Sequence, residues 1–121
     1  MGSLYVLLGG DHGIEALVES LYARILNDPD LAAFFSGVDM KLQRRKFRAF
    51  LHTVSGGPQS RTSIELTAAH SRAVEQGLNE AHLASFTVYF REALEEAQVP
   101  ELAVVEIMQR LGVAQGDVLG P

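Results

Sequence analysis

Residues 13–27 read Gly13-Ile14-Glu15-Ala16-Leu17-Val18-Glu19-Ser20-Leu21-Tyr22-Ala23-Arg24-Ile25-Leu26-Asn27. Ile14, Leu17, Val18, Leu21, Tyr22, Ile25 and Leu26 recur at steps of three and four. That spacing winds them onto one stripe of an α-helix; a strand, with its period of two, would scatter them over both faces. Asn27-Asp28-Pro29-Asp30 ends the helix, because the residue before a proline is pushed out of the helical region. The pattern predicts a helix over 13–27. Asp30 then caps a short turn that carries Leu31, Phe34 and Phe35 and stops at Ser36-Gly37.

The same pattern continues to the end of the chain. Asp39 caps a second long helix, with Gln43, Lys46, Phe47 and Phe50 on one face, and Gly56-Gly57-Pro58 stops it. A loop follows to Arg61. Thr62-Ser63-Ile64-Glu65 fits a capping box, and the helix it opens places Leu66 and His70 one turn apart. Gly77 closes that helix and Asn79 caps the next, on which Leu83, Phe86, Phe90 and Leu94 form a stripe to about Ala97. Gln98-Val99-Pro100 is a corner. Leu102, Val105 and Met108 start a last helix that is expected to end near Gly112, with a loose tail from Ala114 apart from Val118 and Leu119. No strand alternation and no internal repeat occurs. The expectation is an all-α single domain over residues 1–121 with about six helices.

Composition narrows the function. Hydrophobic residues make up 47% and charged residues 21%, the balance of a folded soluble domain rather than a disordered chain. The net charge of −5, from 10 Lys+Arg against 15 Asp+Glu, opposes the phosphate neutralisation on which nonspecific nucleic-acid binding runs. The chain has no cysteine, which excludes a disulfide frame, a thiolate metal site and a thioether-attached cofactor. No apolar run approaches the ~18 residues of a membrane span. Met1-Gly2-Ser3-Leu4-Tyr5 lacks the basic region and apolar stretch of a secretory signal. A cytoplasmic monomer is expected.

Four histidines are the candidates for metal chemistry. His12, beside Gly13, reads as exposed loop. His52 lies nine residues after Gln43, half a circle round the same helix, so it faces away from whatever Gln43 faces. His82 falls in the first turn after Asn79, at a boundary. His70 differs, because Ala68, Ala69, Ser71 and Ala73 surround it, and small residues let a flat cofactor approach the backbone. A half-buried, hydrogen-bonded histidine fits the same spacing, and the residues alone leave both readings open.

An ordered set of motifs favours the ligand. Leu4-Tyr5-Val6-Leu7-Leu8-Gly9-Gly10, Leu21-Tyr22-Ala23-Arg24-Ile25-Leu26, Phe34-Phe35-Ser36-Gly37-Val38-Asp39-Met40, Gln43-Arg44 with Phe50-Leu51, Gly56-Gly57-Pro58, Ala68-Ala69-His70, Gly77-Leu78 and Val99-Pro100-Glu101 follow one another nearly end to end. In order and spacing they resemble the truncated haemoglobins of the first group. The resemblance implies a two-over-two helical sandwich around a b-type haem (iron protoporphyrin IX). It places His70 as the proximal ligand of the iron, Phe35 packed on the haem, Tyr22 as the distal hydroxyl that meets bound dioxygen, and Gln43 sharing that hydrogen bonding. Lys46, Phe47 and Phe50 follow on the same face, the two rings as part of an apolar wall. Neutral imidazole is a good iron ligand, and a phenol or amide donor stabilises a diatomic ligand that draws electron density from iron.

Two departures from the family pattern stand out. Lys46 occupies a position where some relatives place an iron-binding histidine, which makes Lys46 a candidate distal metal ligand, and Phe47 replaces a frequent glutamine. Gln115-Gly116-Asp117-Val118 offers no imidazole for bonding to a haem vinyl group, so covalent attachment is not expected. Lys41, Arg44, Arg45 and Arg48 are candidate partners of the haem propionates, at least two of them instead forming a solvated face. Three functions compete. The first is binding or carrying dioxygen, carbon monoxide or nitric oxide. The second is nitric oxide dioxygenase activity, served by an external reductase. The third is a helical interaction module without cofactor.

Overall fold

The computed structural model describes residues 3–56 and 77–119, with side chains described as far as Gly112. Six α-helices and one 3-10 turn occur among the described residues, and no strand. They are α1 (Leu4–Leu7), α2 (Gly10–Leu26), α3 (Pro29–Ala32), the 3-10 turn Ala33–Phe35, α4 (Met40–Ser55), α5 (Glu80–Glu96) and α6 (Glu101–Leu119). The expected capping box at Thr62 and the helix bearing Leu66 and His70 lie outside the described residues.

The stripe that opened the reading is the centre of the core. Ile14, Leu17, Val18, Leu21, Tyr22 and Ile25 of α2 are all buried. They meet Leu51 of α4, Phe90, Ala93 and Leu94 of α5, and Ala103, Val104, Ile107 and Leu111 of α6. α2 packs on both α4 and α5, and α6 packs on α5 and α4. The α2–α4 pair therefore lies over the α5–α6 pair, the expected two-over-two sandwich.

Several boundaries depart from expectation, each for a physical reason. α2 begins at Gly10, so His12, though exposed, is helical and not in a loop. Gly13 sits inside that helix for clearance, because a Cβ there would stand 2.1 Å from the Leu8 carbonyl oxygen. α1 thus closes onto the backbone of α2. The cap of α3 is Asp28, not Asp30: its carboxylate accepts from the Asp30 and Leu31 amides at 2.9 and 3.4 Å. Pro29 takes the first helical position, where its missing N–H costs nothing. α6 continues past Gly112 to Leu119. Its buried face is Ala103, Val104, Ile107 and Leu111, whereas Leu102 is 86% exposed and Val105 45%. Small Ala103 faces the core and lets α6 approach.

Asp28 also accepts a hydrogen bond from Tyr89 Oη of α5 at 2.7 Å, which ties the α3 corner to the opposite layer. That bond, more than the amides and nearby His82, holds the Asp28 carboxyl below the ordinary aspartate range. A depressed folded pKa adds stability above the unfolded value, and the gain disappears as pH falls through the folded value. The difference in Tm between the wild type and Asp28→Asn should therefore be largest at neutral pH and shrink below pH ~4. A pH-independent difference in thermal melts would refute the contribution of the charge.

Candidate haem pocket

Three helices and the 3-10 turn bring a set of aromatic side chains together on one side of α4. α2 supplies Tyr22, because the apolar stripe of that helix continues through it; the ring is 3% exposed. Asp39 starts α4 by accepting from the Lys41 and Leu42 amides at 3.0 and 3.2 Å. The start fixes the helical phase that turns Gln43, Phe47 and Phe50 to the same side. The turn after α3 supplies Phe35, and α5 supplies Phe86 and Phe90.

Phe47 is the hub. Its ring stacks on Phe50 with centroids 5.5 Å apart. It meets Tyr22, Phe86 and Phe90 edge to face at 6.1, 5.7 and 6.1 Å. Phe35 stands edge-on to Tyr22 at 5.7 Å. These distances are those of favourable aromatic pairs. Tyr22 and Phe90 are buried, but Phe35, Phe47, Phe50 and Phe86 are only half-buried. Four aromatic rings with one side still open form an apolar wall, which suits the flat face of a porphyrin. Phe86 was legible in the sequence only as a stripe residue; its place in the wall follows from its contact with Phe47.

One polar couple sits in this wall. Gln43 Nε2 donates to Tyr22 Oη at 3.2 Å. Burial, the largest cause, pushes the Tyr22 hydroxyl above its usual pKa, while Gln43 and the nearby Arg44 pull it down. Tyr22 therefore keeps its proton at neutral pH. With an oxygen lone pair engaged by Gln43, that proton remains for donation to a ligand.

The other sequence candidates are placed as follows. Lys46 is exposed and has no ion-pair partner among the described residues. Arg44 and Arg48 pair with Glu19 and Glu15 of α2 at 3.2 and 3.9 Å. Lys41 and Arg45 are exposed and, by helical phase, lie on the far side of α4 from Gln43. Lys41, Arg45 and Arg48 therefore do not share the face that bears Gln43 and Phe47, and Arg44, paired with Glu19, stands at its edge near Tyr22. His52 points away from the pocket, as its phase predicts, to Asp11 at 3.2 Å. The His82 Nδ1 accepts from the Asn79 amide at 3.2 Å and completes a capping box. His70 lies outside the described residues.

Comparison with known proteins agrees with this architecture. The family model described as bacterial-like globin matches residues 3–119. A group 1 truncated haemoglobin of Synechocystis is 34% identical over 108 residues, covering 88% of this chain and 87% of its own length. The structure called THB1 of Chlamydomonas reinhardtii is 38% identical, with a TM-score of 0.84, over 98% of this chain and 97% of that one. A 2/2 haemoglobin of Synechococcus, solved in the cyanomet state with covalently attached haem, is 29% identical with a TM-score of 0.89, over 98% of both chains. The half-open aromatic wall, the Tyr22–Gln43 couple with its buried hydroxyl and these matches lead to one conclusion: the chain belongs to the bacterial-like globin family, as a group 1 truncated haemoglobin with haem as its cofactor.

Proposed function

We propose that the protein binds dioxygen and other diatomic ligands reversibly at a non-covalent b-type haem held through His70. The observation that carries this reading is the Tyr22–Gln43 hydrogen bond inside an aromatic wall. Haem, when bound, supplies an iron that takes a diatomic ligand. The chain supplies the surroundings. Phe35, Phe47, Phe50 and Phe86 exclude water. Tyr22 offers a proton that Gln43 helps to orient. The test is absorption spectroscopy of the purified protein in ferric, ferrous and carbon monoxide-treated states. A single haem per chain that binds carbon monoxide when ferrous is expected, and a colourless, haem-free protein overturns the reading. Extraction into acidified ketone should remove the haem; haem that stays on the chain overturns the non-covalent part.

Lys46 is the proposed internal distal ligand. Its support is its place one turn after Gln43, at the rim of the pocket, without an ion-pair partner among the described residues. The stem must swing inward, and only the neutral amine ligates, so ligation grows as pH rises. Lys46→Ala compared with wild type by absorption and resonance Raman across pH should differ in coordination and spin state, most at alkaline pH. Identical behaviour at every pH refutes the ligand role. A hydroxide ligand produces an alkaline change in both proteins, so the difference between them decides.

A second reading, nitric oxide dioxygenation, uses the same pocket. Its stoichiometry, NO + O2 + e− → NO3−, requires one electron per turnover from outside, and the exposed cations Lys41, Arg45 and Lys46 of α4 favour it by offering an acidic electron donor a place to bind.

A further inference from the structure

The charges of this protein are distributed unevenly. Five of the 10 Lys and Arg residues, namely Lys41, Arg44, Arg45, Lys46 and Arg48, fall within eight positions of a chain whose net charge is −5. α4 itself contains no Asp or Glu, and Asp39 before it is engaged in capping. Outside α4 every described arginine is paired. Arg24 meets Glu92 and Glu96, Arg91 meets Glu95 and Glu101, and Arg110 meets Glu106, at 2.6 to 3.7 Å. On α4, Arg44 and Arg48 are taken by the glutamates of α2. The described cations without a described carboxylate partner are therefore Lys41, Arg45 and Lys46, all exposed; by helical phase Lys41 and Arg45 lie on the outer side of α4 and Lys46 at the edge between that side and the pocket.

Leu42 lies among them and is 41% exposed. An apolar spot among exposed cations has the make-up of a transient docking surface, in which charge steers the encounter and a small apolar centre seats it. The opposite face of the same helix carries Phe47 and Gln43 of the haem pocket. A partner on the outer face is thus separated from the pocket by little more than one helix, about 10 Å across.

We propose that the outer face of α4, built from Lys41, Arg45 and Leu42 with Lys46 at its edge, docks an acidic electron-carrier protein that delivers one electron to the ferric haem. The proposal rests on the haem reading above. An acidic protein fits better than an extended polyanion, because the patch is small and the 15 acidic residues of the chain repel a long array of negative charge.

The test uses the haem-loaded protein, first shown to bind carbon monoxide, and a reduced plant-type [2Fe–2S] ferredoxin as acidic probe. The second-order rate of ferric haem reduction should fall steeply with ionic strength. In the Lys41→Glu/Arg45→Glu double variant it should drop by about 100-fold at low salt, with the salt dependence lost or inverted. Reduction by a small neutral donor and the absorption spectrum should not change. A second readout needs no turnover. Lys41 and Lys46 are the only lysines in the sequence, so carbodiimide coupling of the ferredoxin to wild type should map to them by mass spectrometry. A salt-independent rate, an unchanged rate in the variant, or coupling confined to the terminal amine overturns the proposal and leaves the haem reading intact. Patch-dependent binding to phosphatidylserine vesicles without an effect on ferredoxin also overturns it, in favour of a membrane. A protein that takes up no haem overturns both readings.

Discussion

Dioxygen will leave the Tyr22→Phe variant roughly 10- to 100-fold faster than the wild type, the factor expected when a hydrogen bond to a partly charged acceptor worth ~1.5–3 kcal/mol is removed. The substitution deletes one oxygen and keeps the ring, so the edge contacts with Phe35 and Phe47 persist. It also leaves the Gln43 amide without its acceptor, and part of the loss could be recovered if that amide turns to the ligand. Stopped-flow replacement of dioxygen by carbon monoxide measures the rate. Carbon monoxide dissociation should change far less, since that ligand carries less charge when bound. Equal changes for the two ligands would indicate a steric effect and refute hydrogen bonding by Tyr22. Because burial holds the Tyr22 proton on, the wild-type rate should stay flat across neutral pH.

The second large effect concerns His70. The His70→Gly variant should lose normal proximal ligation, and with it the wild-type ferrous and carbon monoxide spectra. Free imidazole added to the variant should occupy the vacated position and restore them. Retention of wild-type spectra by the variant without imidazole would assign the ligand elsewhere. His12, His52 and His82 are poor substitutes. His12 is exposed near the start of α2, His52 is held by Asp11 away from the pocket, and His82 is engaged in capping and stands edge-on to Phe34 at 5.0 Å.

Much of this arrangement could be read from the residues, and the exceptions share a cause. The α2 stripe, the Asp39 and Asn79 caps and the polar–aromatic face of α4 are local patterns that a 3.6-residue period exposes. The pairing of Tyr22 with Gln43 is not local; it joins positions on two helices, and only the resemblance brought them together. The misread features depended on tertiary approach. Gly13 looked like the helix start because the apolar stripe begins at Ile14, yet the glycine lies inside the helix and its role is to admit the Leu8 carbonyl. Gly112 looked like a helix end, but an interior glycine costs only about 1 kcal/mol, and α6 continues through it. Leu102 and Val105 drew the eye as large apolar side chains, while the buried phase of α6 runs through Ala103. His82 was unreadable as a cap because capping boxes normally end in Glu or Gln.

The contact between α1 and α2 has a kinetic consequence. A helix of four residues is far below the length at which one persists in water by itself. α1 therefore exists only while docked, with Leu4 and Leu8 buried, Gly13 yielding room, and the Tyr5 hydroxyl donating to Asp11, which also meets His52. It packs on α2, α4 and α6, and its opening is expected to leave the four-helix sandwich in place. The amides of Leu7 and Leu8, bonded to the Ser3 and Leu4 carbonyls, should exchange with deuterium through this partial opening, ahead of the amides in the middle of α2. The N-terminal turn then acts as a separately unzipping unit of the fold.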